Sequence, residues 1–353
     1  MKTNLTLDDV RAAVHGGAIL GGGGGGKIEE GERMGRLALE AGNLQLWSPD
    51  EFGEQSYTVT VAIVGAPGAI DQYASPSQLL RTVYSLQREL GAGRELACLN
   101  TNENGAQTTV NGWFQSAMTG LPVIDLACNG RAHPTSLMGA LGLHLQDNYL
   151  SIQSFAGGRS DREVEGFARG RIASTSSIVR SASIDAGGLV AVARNPVTVG
   201  YACKHGAPGA ITQAIELGRA FLDGGMTEAC RILGGRIVSE GRVRAFDIRQ
   251  QGGLDVGTVH LDDSSATSLR FINEYLTLEQ NGTRVATFPD LLMTFTADGN
   301  PVVSAHVQEG MDLRVVHVPR GRLLLSRTMS MPELYLPLEE MLGTSIAPTL
   351  EHA

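Results

Sequence analysis

From residue 44 to about residue 146, short apolar runs alternate with segments of helical periodicity. "NLQLW", "YTVTVAIVG", "ELACLN", "TGLPVIDLAC" and "LHLQ" read as strands or strand ends. "SPSQLLRTVYSLQREL" and "TTVNGWFQSAMTG" lie between them and read as helices, the first entered through Ser-Pro. Parallel neighbours in a sheet need a crossover, usually a helix, so this order predicts an α/β layer with a mostly parallel sheet. A Ser-rich, weakly periodic stretch, "RIASTSSIVRSASIDAGG", follows and marks the expected boundary. Beyond it "APGAITQAIELGRAFLDGG" is helical and the rest turns to β, with hairpin signals at Asn281-Gly282 and Asp298-Gly299. The expectation is an α/β N-terminal domain over residues 1–172 and a β-rich C-terminal domain over residues 173–353.

The most unusual stretch is "GGAILGGGGGGKIEEGE", with six consecutive glycines from Gly21 to Gly26 and then Lys27. It satisfies the phosphate-loop spelling except that Ile28 replaces the Ser or Thr that would hold magnesium. Such loops join a strand to a helix. Here a helix capped by Thr6 and stopped at Gly16-Gly17 precedes the run, and "IEEGERMGRLALEAG" forms another after it. No nucleotide cofactor is therefore expected, and Lys27 reads as a bystander. Glycine loses more backbone freedom on ordering than any other residue. An ordered run of it suits close approach of backbone N–H groups to a ligand at a helix N-terminus. Gly23, Gly24 and Gly25 are the substrate-binding candidates. The hexapeptide "GAPGAI", at residues 65–70 and 206–211, reads as coincidence in a chain rich in Gly and Ala.

The formal charge of -9 argues against a nucleic-acid partner. No apolar run approaches the ~20 residues that span a bilayer, so no membrane partner is expected. The N-terminus lacks signal-peptide features, and the four cysteines are widely spaced with no CxxC pair. A cytoplasmic location is the natural expectation.

Three clusters carry candidate chemistry. "NTNENGAQT" follows an apolar strand, where open α/β sheets bind ligands. Its Asn102 and Asn104 can donate and accept toward a lactam or urea-like group, and Glu103 can act as a general base; the composition also fits an ordinary polar loop. "LPVIDLACNGRAHP" supplies Asp125 to orient an imidazole or water, Arg131 to hold a carboxylate, and His133 to shuttle protons. Cys128 in it reads as a small buried hydrophobe. A metal held by Asp125, His133 and His144 has no recognised spacing behind it, and a divalent metal stays open. "YACKHGAPG" is weaker, because adjacent strand residues point to opposite faces.

The series "GGAILGGGGGG", "VGAPGA", "ENGAQ", "LPVIDLACNGRAHP" and "FPDLLMTFTADGNPVVSAHVQEGMDLRVVHVP" resembles the S-methyl thiohydantoin desulfurase family over most of the chain. The resemblance implies a two-part layout and hydrolysis of a thiohydantoin-type ring, with water attacking the carbon between the ring nitrogens and methanethiol leaving. It implies Glu103 as base or substrate anchor, and it carries Asp125 and Arg131 as matches to family elements. It also implies a small-molecule substrate and a hydantoinase- or oxoprolinase-type partner; a homo-oligomer stays open. The sequence departs from the family pattern at Ala127 and Thr135, where acids are expected, and at His133, where an aromatic is usual. The alternative to a hydrolase is a non-catalytic binding subunit working beside such a partner.

Overall fold

The computed structural model describes residues 1–91 and 93–346. Its first part is a mixed sheet built from β1 (Lys2–Asn4), β2 (Gln45–Trp47), β3 (Tyr57–Gly65), β4 (Leu96–Glu103), β5 (Val123–Asn129), β6 (Ser151–Gly157), β7 (Val164–Gly170), β8 (Leu189–Thr198) and β9 (Ala207–Pro208). The order is β1-β2-β5-β4-β3-β8-β6-β7, with β9 beside β5. The run β2-β5-β4-β3 is parallel, as the strand–helix alternation requires, and antiparallel strands extend it at both flanks. β8 lies between β3 and β6, so the chain returns to the first sheet after residue 172.

The helices are α1 (Leu7–Leu20), α2 (Ile28–Ala41), α3 (Pro76–Leu90), α4 (Trp113–Thr119), α5 (Ile172–Asp185), α6 (Val199–His205) and α7 (Ala210–Leu233). Thr6 caps α1 in a reciprocal box with Asp9, and Ser75 does the same for α3 with Gln78. The Ser-rich stretch forms α5 and packs Val179 and Ala182 on the sheet. "LHLQ" is a 3-10 turn rather than a strand end.

α1 does not stop at Gly16-Gly17, as the sequence suggested. A Cβ on Gly16 would meet the Ala214 carbonyl of α7, and one on Gly17 the Gly105 carbonyl. These glycines let the α1 backbone lie against its neighbours, and packing outweighs their weak helix propensity.

The second part is an antiparallel sheet of β10 (Arg236–Gln251), β11 (Leu254–Asp262), β12 (Ser268–Ile272), β13 (Glu274–Gln280), β14 (Thr283–Thr287), β15 (Leu291–Thr296), β16 (Pro301–Val302) and β17 (Asp312–Val318). Its order is β14-β13-β12-β11-β10-β17-β15-β16, and a short helix α8 (Leu336–Leu342) follows. The α/β and β-rich parts expected from the sequence are both present. Asn281 and Gly282 have φ of 50° and 76° and join β13 to β14 in a two-residue hairpin turn, as their types require. Ile19 and Leu20 of α1, Leu217 and Phe221 of α7, and Leu291, Met293, Phe295, Val316 and Val318 share one core, which joins α1 and α7 to the second sheet. No helix among the described residues is long and apolar enough to cross a membrane.

Candidate functional site

The C-terminal ends of β3, β4 and β5 open on the same side of the parallel run, the usual place for a ligand crevice. A cleft with an empty volume of about 620 Å³, open mouth included, lies there. It is lined by residues 63–67 at the end of β3 and just beyond it, by Asn102 and Glu103 from β4, and by His133 to Ser136 after β5. Arg180 from α5 and Arg194 from β8 close one side; Gly25, Gly26, Gln107 and Thr108 close another. Asn273 and Glu274 enter from the second sheet.

Asn102, Glu103 and His133 converge. Asn102 Nδ2 donates to Glu103 Oε2 at 3.0 Å and lies 3.3 Å from His133 Nε2. The His133 backbone N–H donates to the same Oε2 at 3.2 Å, and His133 Nε2 is 3.2 Å from it. Arg194 Nη2 donates to Asn102 Oδ1 at 2.6 Å and so fixes which end of that amide faces Glu103. A Cβ on Gly139 would lie 2.6 Å from Asn102 Oδ1 and from His133 Nε2, so bare backbone covers this pair.

Burial pushes the Glu103 carboxyl up to about 7, against the His133 N–H and the nearby Arg194 and Arg131. Burial, and then the Arg194 charge, pull the His133 imidazole down to about 3. The ring contact between His133 and Glu103 is therefore no ion pair at neutral pH, because the imidazole is neutral there. Glu274 is held well above the carboxylate range by burial and then by Glu103. Two carboxyl groups whose environments separate their proton affinities are able to serve as an acid and a base.

Sequence reasoning missed Glu274, Arg194 and Arg180. One signal was present: Arg194 interrupts the apolar strand "LVAVARNPVTV", and a charge buried in a strand needs a partner or a task. Both strand-borne residues sit beside an asparagine with positive φ. Asn195 (55°) forms a bulge where the β3–β8 register shifts, and Asn273 (54°) alone connects β12 to β13. Such local kinks re-aim side chains, and Asn tolerates the left-handed conformation.

The other candidates lie elsewhere. Asp125 does not line the cleft; its carboxylate accepts from Ile211 N at 2.9 Å, Thr212 N at 3.1 Å and Thr212 Oγ1 at 2.5 Å, which ties β5 to the first turn of α7. Asn104 Nδ2 donates to the carbonyls of Gly130 at 3.2 Å and Ala210 at 2.7 Å, holding the loop after β4. Arg131 is fully buried, donates from Nη1 to the carbonyls of Pro289 at 3.1 Å and Asp290 at 2.5 Å, and stacks 4.6 Å over Phe288. It crosses toward the second sheet beneath the glycine run. His144 faces Glu333 instead of joining Asp125 and His133. Among the described residues, no group of three or more His, Cys, Asp or Glu side chains is placed to hold a metal ion. Cys128 is buried against Thr60 and Asn100.

The glycine run uses its carbonyls more than its N–H groups. The Gly22 carbonyl accepts from Tyr275 N at 2.8 Å and the Gly23 carbonyl from Ser304 N at 2.9 Å, both in the second part of the chain. The Gly25 carbonyl accepts from Gln107 N at 2.9 Å and Thr108 N at 3.2 Å. A Cβ at Gly24 would collide with the Glu274 carboxyl group. The run is thus a seam between the two sheets, and Gly25 and Gly26 at its end form part of the cleft wall.

Two family models match nearly the whole chain: the S-Me-THD-like N-terminal domain over residues 8–159 and the S-Me-THD-like C-terminal domain over residues 171–329. Among solved structures, a protein from Chromobacterium violaceum is similar in fold, with a TM-score of 0.71 at 22% identity over 97% of this chain and 96% of that one. No curated protein matches the chain.

Proposed function

The chain belongs to the S-Me-THD-like family, and we propose that it is a hydrolase acting on a small cyclic amide or thioamide, an S-methyl thiohydantoin or hydantoin-type ring. The observation that carries this reading is a buried carboxyl, Glu103, raised to about 7 and paired in one cleft with a second, Glu274, held mostly protonated. Ionised Glu103 takes a proton from water, whose oxygen attacks the ring carbon between the two nitrogens. The carbon–sulfur bond then breaks. Glu274 gives its proton to the departing sulfur, and methanethiol leaves. One proton of the water ends on the ring nitrogen and the other restores Glu274 by exchange, so ring plus water gives hydantoin plus thiol. Asn102, fixed by Arg194, and the neutral His133 orient Glu103. Asp125, outside the cleft, is assigned to positioning α7.

The test is incubation with S-methyl thiohydantoins and thiol assay, with Glu103→Gln as control. Absence of thiol release and of any ring change, with the fold intact, would sink the reading. Tight ring binding without turnover, alone and with a hydantoinase-type partner, would replace it with the binding-subunit role.

A further inference from the structure

Arg194 is 2% exposed and lies in the wall of the cleft. A guanidinium carries five N–H donors and no acceptor. The protein accepts from Nη2 through Asn102 Oδ1. The buried donors at Nε and Nη1 have no protein partner. Buried, unmet donors on a charged group are costly, so a site that keeps them supplies their acceptor from a ligand or solvent.

The charge balance of the cleft points the same way. Arg131, Arg180 and Arg194 surround Glu103 and Glu274, and the imidazole of His133 is neutral. Of the two carboxyl groups, the one on Glu274 is held protonated beside the other. Arg131 gives Nη1 to the carbonyls of Pro289 and Asp290 and keeps Nε and Nη2 buried without a partner, but it does not line the cleft; Arg180 gives Nη1 to the carbonyls of Gly65 at 3.3 Å and Gly253 at 3.0 Å. Of the two arginines that line the cleft, Arg194 is the one whose buried donors lack a partner. The Thr108 hydroxyl, also in the wall and buried, lacks a protein partner as well.

We propose that Arg194, with the Thr108 hydroxyl beside the cleft, forms a subsite for a singly charged carboxylate, so that the ring processed here carries an acidic side chain. A dianion such as phosphate ester is disfavoured by the Glu103 and Glu274 carboxyl groups in the same cleft. The inference rests on the cleft being the ring site of the proposed hydrolase, but it concerns recognition and can be measured without turnover.

The experiment is calorimetric titration of the full chain with hydantoin-5-acetate and with its uncharged isostere, hydantoin-5-acetamide. The acetate is expected to bind about tenfold to a hundredfold more tightly, the range of one charge-assisted contact. Arg194→Gln is expected to bring the ratio of the two affinities close to one, and Arg194→Lys to leave part of it. Equal affinities in the wild-type protein would overturn the subsite without recourse to any variant. So would a preference that survives Arg194→Gln in protein with an unchanged melting curve, or failure of both rings to bind. Acid preference without thiol release keeps the subsite and removes the hydrolase. Thiol release without acid preference does the reverse.

Discussion

Glu103 at the end of β4 and Glu274 at the start of β13 face one cleft from different sheets, and Glu103 raises the proton affinity of Glu274. Neither sheet alone contains the pair. The acid and base of the proposed reaction therefore exist only when the two sheets are docked.

The pH dependence of kcat/KM follows from this pair. Glu103 must be ionised and Glu274 protonated, so the rate is expected to rise with pH through about 7, where Glu103 titrates, and to fall again at higher pH as Glu274 ionises. Thiol release measured from pH 5 to 10 checks it. A flat profile across neutrality would remove Glu103 as the base.

Glu103→Gln is expected to lower the rate by about 10²- to 10⁴-fold, the usual worth of a general base. It has an opposite signature in stability. A carboxyl raised in the folded state holds its proton between its ordinary value of 4.5 and about 7, while the unfolded chain has released it. The folded state then binds more protons, and stability falls as pH rises through that window. The variant lacks this loss, so its melting temperature relative to wild type should improve from pH 5 to pH 8. Parallel melting curves at all pH values would contradict the buried-carboxyl account.

Much of this was legible in the sequence, for identifiable reasons. The strand–helix alternation placed the parallel run, and the end of β4 with the loop after β5 placed Asn102, Glu103 and His133, because periodicity and strand-end chemistry are local properties. Arg194 showed only as a charge in an apolar strand and Glu274 not at all, since they reach the cleft through a bulge and a one-residue turn at Asn195 and Asn273. Asp125 and Arg131 misdirected for the opposite reason. Their types suit catalysis, but a helix start holds the Asp125 carboxylate and two distant carbonyls hold Nη1 of Arg131, and such partners lie more than 80 positions away.

Gly24→Ala separates crowding from backbone strain, because Gly24 has an ordinary φ while its added Cβ would strike the Glu274 carboxyl group. A destabilisation of about 1–3 kcal/mol is expected, with most of the activity lost. Thermal melting and thiol assay check both parts. Glu274→Asp on top of Gly24→Ala should recover stability by withdrawing the carboxyl. An unchanged melting curve for Gly24→Ala would show that the seam has slack.

Asp125→Ala removes three hydrogen bonds that anchor the start of α7. A loss of about 1–3 kcal/mol of stability is expected, since the freed N–H groups are largely buried. At a temperature where the variant is fully folded, kcat should change far less than in Glu103→Gln. A comparable collapse of kcat would return Asp125 to the chemistry.

The six glycines carry a consequence for how such chains can be recombined. Their carbonyls dock to Tyr275 and Ser304, and their lack of side chains makes room for Glu274. A chimera that grafts a foreign β-rich half onto this N-terminal half would inherit a bare ribbon with nothing to meet it and a cleft without its acid. The halves form a matched lock, and the glycine run is its keyway.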